Sequence, residues 1–344
     1  MQRRRFFRTA GLGLVGFVLV LVVAVKCGGD EDAGVGPGGS AATTTTERAA
    51  STSPSRIVTA AYHPKELPGP SYQGPGAASG STIVMMGGIN DQRQSTKRIW
   101  QFDPASGETK NIAVLGANTN NGASAAVGQQ VFLYGGGARN QVFATIDSVT
   151  IGENRERVVG QLPSPRTEAV AVTDPTTGAV YLVGGMGANG QPQLDVLVSS
   201  DGITFEPLTT LAEPVRAPAV AFSDGVIWVF GGRWDETART SIQRVDVAAR
   251  ATTVAAQMPE GLSNAMAFTL DGDVYVAGGR TASGRNAVVR RLDPTSAALT
   301  DVATLPTPLS DASVAVIDRT AYLLGGLAGD GGDPSKKIVT LTLG

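Results

Sequence analysis

The stretch Ile83-Val84-Met85-Met86-Gly87-Gly88 recurs five more times along the chain. The later copies are VFLYGG ending in Gly135-Gly136, VYLVGG in Gly184-Gly185, IWVFGG in Gly231-Gly232, VYVAGG in Gly278-Gly279 and AYLLGG in Gly325-Gly326. Successive first glycines are 48, 49, 47, 47 and 47 residues apart. A fixed period of this length implies one supersecondary unit in repeated copies, each unable to bury its apolar face alone.

The fourth copy shows the plan. Ala219 to Phe222 is a short run of small and apolar residues, and Ser223-Asp224-Gly225 is a turn signal. Val226 to Phe230 is an apolar strand that the glycine pair ends. A polar loop from Arg233 to Ser241 follows, then an alternating run from Ile242 to Val247, a turn, and a fourth strand over Ala251 to Gln257. Four short strands at this spacing predict one antiparallel sheet per copy. Asp103-Pro104, Asp174-Pro175 and Asp293-Pro294 mark turns in other copies. The glycines sit where the second strand leaves the sheet. A Cβ there is expected to crowd the adjoining sheet, and glycine also reaches backbone angles closed to other residues.

This pattern resembles the kelch repeat, and the resemblance covers about residues 56–344. It implies an all-β, six-bladed β-propeller with four antiparallel strands per blade. The propeller is expected to be monomeric. The aromatic that kelch blades often carry before the glycines is kept as Tyr134 and Phe230, and the usual Trp of the fourth strand is absent. The last copy runs out after its third strand, near Ile338 to Leu343. The run Arg56 to Tyr62 has no first three partners. Leu67-Pro68 precedes Gly87 by the same 20 residues that separate Leu305-Pro306 from Gly325. The N-terminal run therefore occupies the phase of a fourth strand and is expected to complete the last blade.

Residues 1–27 read as an export signal or signal anchor. QRRRFFR at 2–8 is followed by an uncharged apolar run over 9–25. As a helix, seventeen residues reach roughly 25 Å, the short end of a membrane span. The basic flank would stay inside and the remainder outside. The flank resembles the twin-arginine export signal. Cys27-Gly28-Gly29-Asp30 resembles the start of a bacterial lipoprotein, although Lys26 fills a place usually held by a small residue. A retained anchor, lipidation at Cys27 and a cleaved signal all stand as readings, and each puts the protein on the extracytoplasmic side of a membrane. Residues 28–55 are rich in Gly, Ala, Ser and Thr, with too little apolar surface to offset ordering entropy, and read as a flexible linker.

Composition narrows the chemistry. Charged residues are 17% and the formal net charge is −2, so no global field favours nucleic acid. The single Cys and the single His, His63, exclude a disulfide and any site needing two imidazoles. Copper chemistry of the galactose oxidase kind and a zinc site are excluded on that count, and no cofactor is expected. No phosphate-binding Gly-rich loop or Ser-nucleophile elbow is present.

Function in such a fold lives in the loops of one face. The expected ligand-binding set is Arg166, Arg216, Asn121, Asn264, Asp311, Arg233, Trp234, Asp235 and Arg280. Amides, arginines and carboxylates suit a polar or anionic partner, a protein or a glycan. Arg166 and Arg216 each precede a first strand by three residues and are expected at one mouth from adjacent blades, or else as structural donors between blades. Trp234 suits stacking on a sugar. The leading reading is thus a binding module. The alternative is a metal-free sugar mutarotase, by analogy with the kelch-type N-acetylneuraminate epimerase, with Glu168 as the acid–base group and Arg216 or Arg166 for the sugar's carboxylate.

Overall fold

The computed structural model describes residues 57–344. The expected anchor, the linker and Cys27 lie outside the described residues. Among those described there is no α-helix, and no helix is long and apolar enough to cross a membrane.

Six four-stranded antiparallel sheets follow one another along the chain. Sheet one comprises Gly76–Ser79, Thr82–Met86, Thr96–Asp103 and Glu108–Thr119. Sheet four shows the same plan in Ala219–Ser223, Val226–Phe230, Ser241–Asp246 and Ala251–Gln257. In the first five the strands pair in the order of the chain; in sheet six Ser313–Ile317, Thr320–Leu324 and Lys337–Leu343 are followed by a strand from the start of the described residues. Asx turns set the bends, as where Asp103 Oδ1 accepts from the N–H groups of Ala105 and Ser106. The first strands of neighbouring sheets adjoin one another in a closed circle that returns from sheet six to sheet one. This is the architecture of a β-propeller.

The core lies in the seams between sheets. Second strands are apolar on both faces because both faces are covered: Ile227, Val229 and Phe230 have no exposed surface. Between sheets four and five, Trp228, Phe230 and Ile242 meet Val274, Val276 and Leu292. Each seam has its own cluster of this kind, so no sheet is stable without its neighbours.

The glycine pairs stitch these seams. Gly231 and Gly232 take φ of +55° and +88°. The Gly232 N–H donates to the Leu262 carbonyl at 2.8 Å, in the loop that enters sheet five. A Cβ on Gly231 would fall on that same carbonyl oxygen. The second glycine of every pair makes the corresponding bond to the segment that leads into the next sheet, from Gly88 and Thr119 O to Gly326 and Ser71 O across the closure.

The closing strand is present and longer than its sequence suggested, running Val58–Glu66. It pairs with Lys337–Leu343, with Val58 opposite Leu343 and Glu66 opposite Lys337. The Gly344 N–H also donates to Ile57 O at 3.0 Å. Lys336 and Lys337 clasp the Glu66 carboxylate, and these partners hold its pKa down to about 2.

Candidate functional site

Just before each first strand the backbone makes one left-handed step. The residues are Gln73, Asn121, Glu168, Ala217, Asn264 and Asp311, with φ between +49° and +60°. Asn and Asp tolerate this region; Gln, Glu and Ala occupy it against a cost of order 1 kcal/mol. Hydrogen bonding holds them there. Each residue's N–H donates to the carbonyl of its counterpart in the preceding sheet. Asn121 donates to Gln73 O at 2.8 Å, Glu168 to Asn121 O at 2.7 Å and Ala217 to Glu168 O at 2.8 Å. Asn264 donates to Ala217 O at 3.0 Å, Asp311 to Asn264 O at 3.0 Å and Gln73 back to Asp311 O at 2.9 Å. Six bonds thus close a backbone ring at the start of the inner strands.

These residues rim a cavity of about 180 Å³, whose wall continues into Ala123, Ser124, Ala171, Ala219 and Ser313. Counting around the ring, Glu168 and Asp311 stand three places apart, on opposite sides, and so do Asn121 and Asn264. Ala217 leaves the sixth place without a polar group.

Each carboxylate is held differently. Asp311 is buried and accepts from Gln73 Nε2 at 3.0 Å, from Asn264 Nδ2 at 2.7 Å and from Ser310 Oγ at 2.7 Å. Glu168 faces two guanidinium groups: Arg216 Nη1 lies 3.5 Å from Oε1, and Arg233 Nη2 lies 3.3 Å from Oε2. The two arginines share a β-bridge, Arg216 opposite Arg233, which fixes them side by side. The same bridge recurs in every sheet, from Tyr72–Ile89 through to Ser310–Leu327. Burial raises the pKa of Tyr72 beside the mouth, so it stays a neutral hydroxyl.

The expected residues divide accordingly. Asn121, Asn264, Asp311, Glu168, Arg216 and Arg233 come together at the mouth or against it. Asp235 is exposed on the ribbon that Arg233–Trp234 forms with Thr237–Ala238, and its carbonyl accepts from Arg216 Nη2 at 3.3 Å. Trp234 is half-buried there, and Arg280 is exposed on the matching ribbon of sheet five. Arg166 corrects the expectation that it joins Arg216 at an open mouth. Its side chain has no exposed surface and pairs with Asp195 at 2.8 Å, with Nη1 also 3.4 Å from the Asp195 carbonyl. It braces sheet three, the structural alternative for this position. Sequence reading missed Gln73 and Ala217, which complete the ring. Among the described residues no cluster of His, Cys, Asp and Glu could hold a metal ion.

No family model matches the chain. No curated protein matches it either. Among solved structures, the structure of YjhT is similar, with a TM-score of 0.69 at 13% identity, covering 81% of this chain and 99% of that one. At that identity the likeness bears on the fold alone, and it agrees with the β-propeller that the sheets build.

Proposed function

We propose that this chain is a six-bladed kelch-type propeller that acts as a binding module for a polar protein or glycan, tethered at the extracytoplasmic face of a membrane through residues 9–25. The observation that supports it best is the ring: five polar side chains from five sheets, on backbone held in one unusual conformation, around one small cavity. Paired amides and carboxylates offer both donors and acceptors, which is what a hydroxyl-rich ligand needs. Ser124 and Ser313 add hydroxyls in the cavity wall that have no partner among the described residues.

Ile57, the first described residue, lies beside Gly344, at the end of sheet six remote from the ring.

Glycan-array binding by the full-length chain tests the reading. Captured glycans should be lost in Asn264→Ala and Arg233→Ala. Retention of every captured glycan in both variants would place binding elsewhere. The mutarotase reading draws on the contact between Glu168 and Arg216 beside the cavity. Against it, both Glu168 oxygens face guanidinium groups, which favours a fixed acceptor over a proton shuttle. Anomer exchange of sialic acid followed by NMR, absent in Glu168→Gln, would reinstate it.

A further inference from the structure

The seam between sheets four and five holds a cavity of about 500 Å³, well away from the ring and larger than the ring cavity. Its floor and walls are apolar: Ile242, Met258, Leu262, Ala297 and Leu299, with Ala256. The first four of these are buried. Arg290 stands in the wall beside them.

Comparison with the seam between sheets two and three explains the space. Tyr181 and Tyr275 both precede the first glycine of their copy by three residues. Pairing carries the equivalence outward: Tyr181 to Val198 to Glu206 in sheet three, Tyr275 to Arg291 to Thr300 in sheet five. Phe205 is therefore the counterpart of Leu299, and Ile203 of Ala297. On the facing sheets, Ile146 opposite Gly160 corresponds to Ile242 opposite Ala256. In the seam between two and three, Phe205 meets Tyr134 edge to face at 5.1 Å, and Ile203 fills the space over Gly160. Between sheets four and five both large residues are replaced by smaller ones, and none of the described residues takes up the volume.

The polar group in this space is specific. Arg290 pairs across the strands with Asp301, and its Nε donates to Asp301 Oδ1 at 3.1 Å. Its two Nη amino groups have no hydrogen bond among the described residues. The Arg290 side chain is only 22% exposed, while Asp301 is 69% exposed and Glu260 at the rim is exposed as well. The two carboxylates are thus screened by water, while the less exposed guanidinium keeps two Nη groups that can donate to an anion in the cleft. A planar guanidinium edge matches a carboxylate bidentately. A volume in the usual range for small-molecule sites, a largely apolar floor and one guanidinium less exposed than the carboxylates at the rim are the makings of a binding site.

We propose that the seam between sheets four and five binds a small molecule with an apolar body and a single carboxylate, the body against Ile242, Leu262 and Leu299 and the carboxylate on Arg290.

Calorimetric titration of the full-length chain with 2-naphthoate tests this. Saturable one-to-one binding is expected. Leu299→Trp, which refills the space that Phe205 fills two sheets away, should weaken it about tenfold or more. Arg290→Gln should weaken 2-naphthoate about tenfold while leaving the neutral 2-naphthalenemethanol unchanged, a split that general unfolding could not produce. Both variants should keep the wild-type melting transition and the wild-type ring-mouth binding. Absence of 2-naphthoate binding to the wild type overturns the site, as does binding that survives Leu299→Trp. Equal loss of both probes in Arg290→Gln overturns the assigned role of the guanidinium.

Discussion

Gln73 and Asp311 are 238 residues apart in the chain and joined twice. Gln73 Nε2 donates to Asp311 Oδ1 at 3.0 Å, and the Gln73 N–H donates to the Asp311 carbonyl at 2.9 Å. The two residues belong to the first and last copies of the repeat, so this contact closes the ring by side chain and backbone together. Asn264 and Ser310 donate to the same carboxylate. Asp311→Ala removes three hydrogen bonds to a charged acceptor at the point of closure. The expected loss is roughly 2–4 kcal/mol of stability, read from the urea midpoint. Gln73→Ala removes one of the three and should cost about 1 kcal/mol.

The glycine pairs separate two effects that usually travel together. Gly225 has φ +75° with nothing near its would-be Cβ, whereas Gly231 has φ +55° with the Leu262 carbonyl in the way. Gly225→Ala should cost about 1–2 kcal/mol, the price of a left-handed alanine. Gly231→Ala adds a collision with backbone that itself accepts from Gly232, and should cost at least about 3 kcal/mol. Equal losses in the two variants, measured by chemical denaturation, would refute the claim that the pairs act by close approach between sheets.

Sheet two carries an acid–base signature. Glu156 faces Asp147, itself buried and holding Thr145 Oγ1 at 3.0 Å. Burial first, and the neighbouring Asp147 carboxyl second, push the Glu156 pKa up from 4.5 to about 7. A carboxyl whose folded pKa is raised favours the fold when protonated. Its contribution is therefore intact below about pH 4.5 and is lost as pH rises through about 7. Glu156 is partly open to solvent, which screens the effect to roughly 1 kcal/mol. Between about pH 5 and pH 8 the wild type should lose that much stability relative to Glu156→Gln, whose midpoint should stay flat from this cause.

Much of the architecture was legible in the residues. The period of the glycine pairs set the sheets, and the phase of Leu67-Pro68 against Leu305-Pro306 placed the closing strand. The ring was half legible. Asn121, Asn264 and Asp311 were named for their polarity, but Gln73 was passed over, and Ala217 gave way to its neighbour Arg216. A left-handed step turns the side chain aside from where strand alternation would put it, so an error of one position changes the residue chosen. One signal was available. The ring residue precedes the first glycine by 14 in five copies, as Gln73 precedes Gly87, and by 16 in the third copy, where the Asp174–Gly178 turn is longer. The seam cavity had no such signal, because it depends on which side chains from two sheets face each other. That pairing appears only when the sheets are placed.

Arg166 shows the limit of reading charge as function. An arginine three residues before a strand looks the same in sequence whether its guanidinium meets solvent or the core. Here it is fully buried, with Nη2 on the Asp195 carboxylate at 2.8 Å and Nη1 within 3.5 Å of the Gly184 carbonyl. That carbonyl belongs to the glycine pair of sheet three, so the brace ties the third strand to the end of the second. Arg166→Ala strands Asp195 without its partner and opens a cavity, and should cost roughly 3–5 kcal/mol. Arg166→Lys keeps the charge but not the fork, and should recover less than half of that loss. Arg216→Ala, by contrast, removes a guanidinium at 3.5 Å from Glu168 but leaves that carboxylate its second partner, Arg233, and should cost roughly 1–2 kcal/mol. Thermal unfolding of the three variants orders them. If Arg216→Ala were the most damaging, the buried brace and the mouth would have to exchange roles.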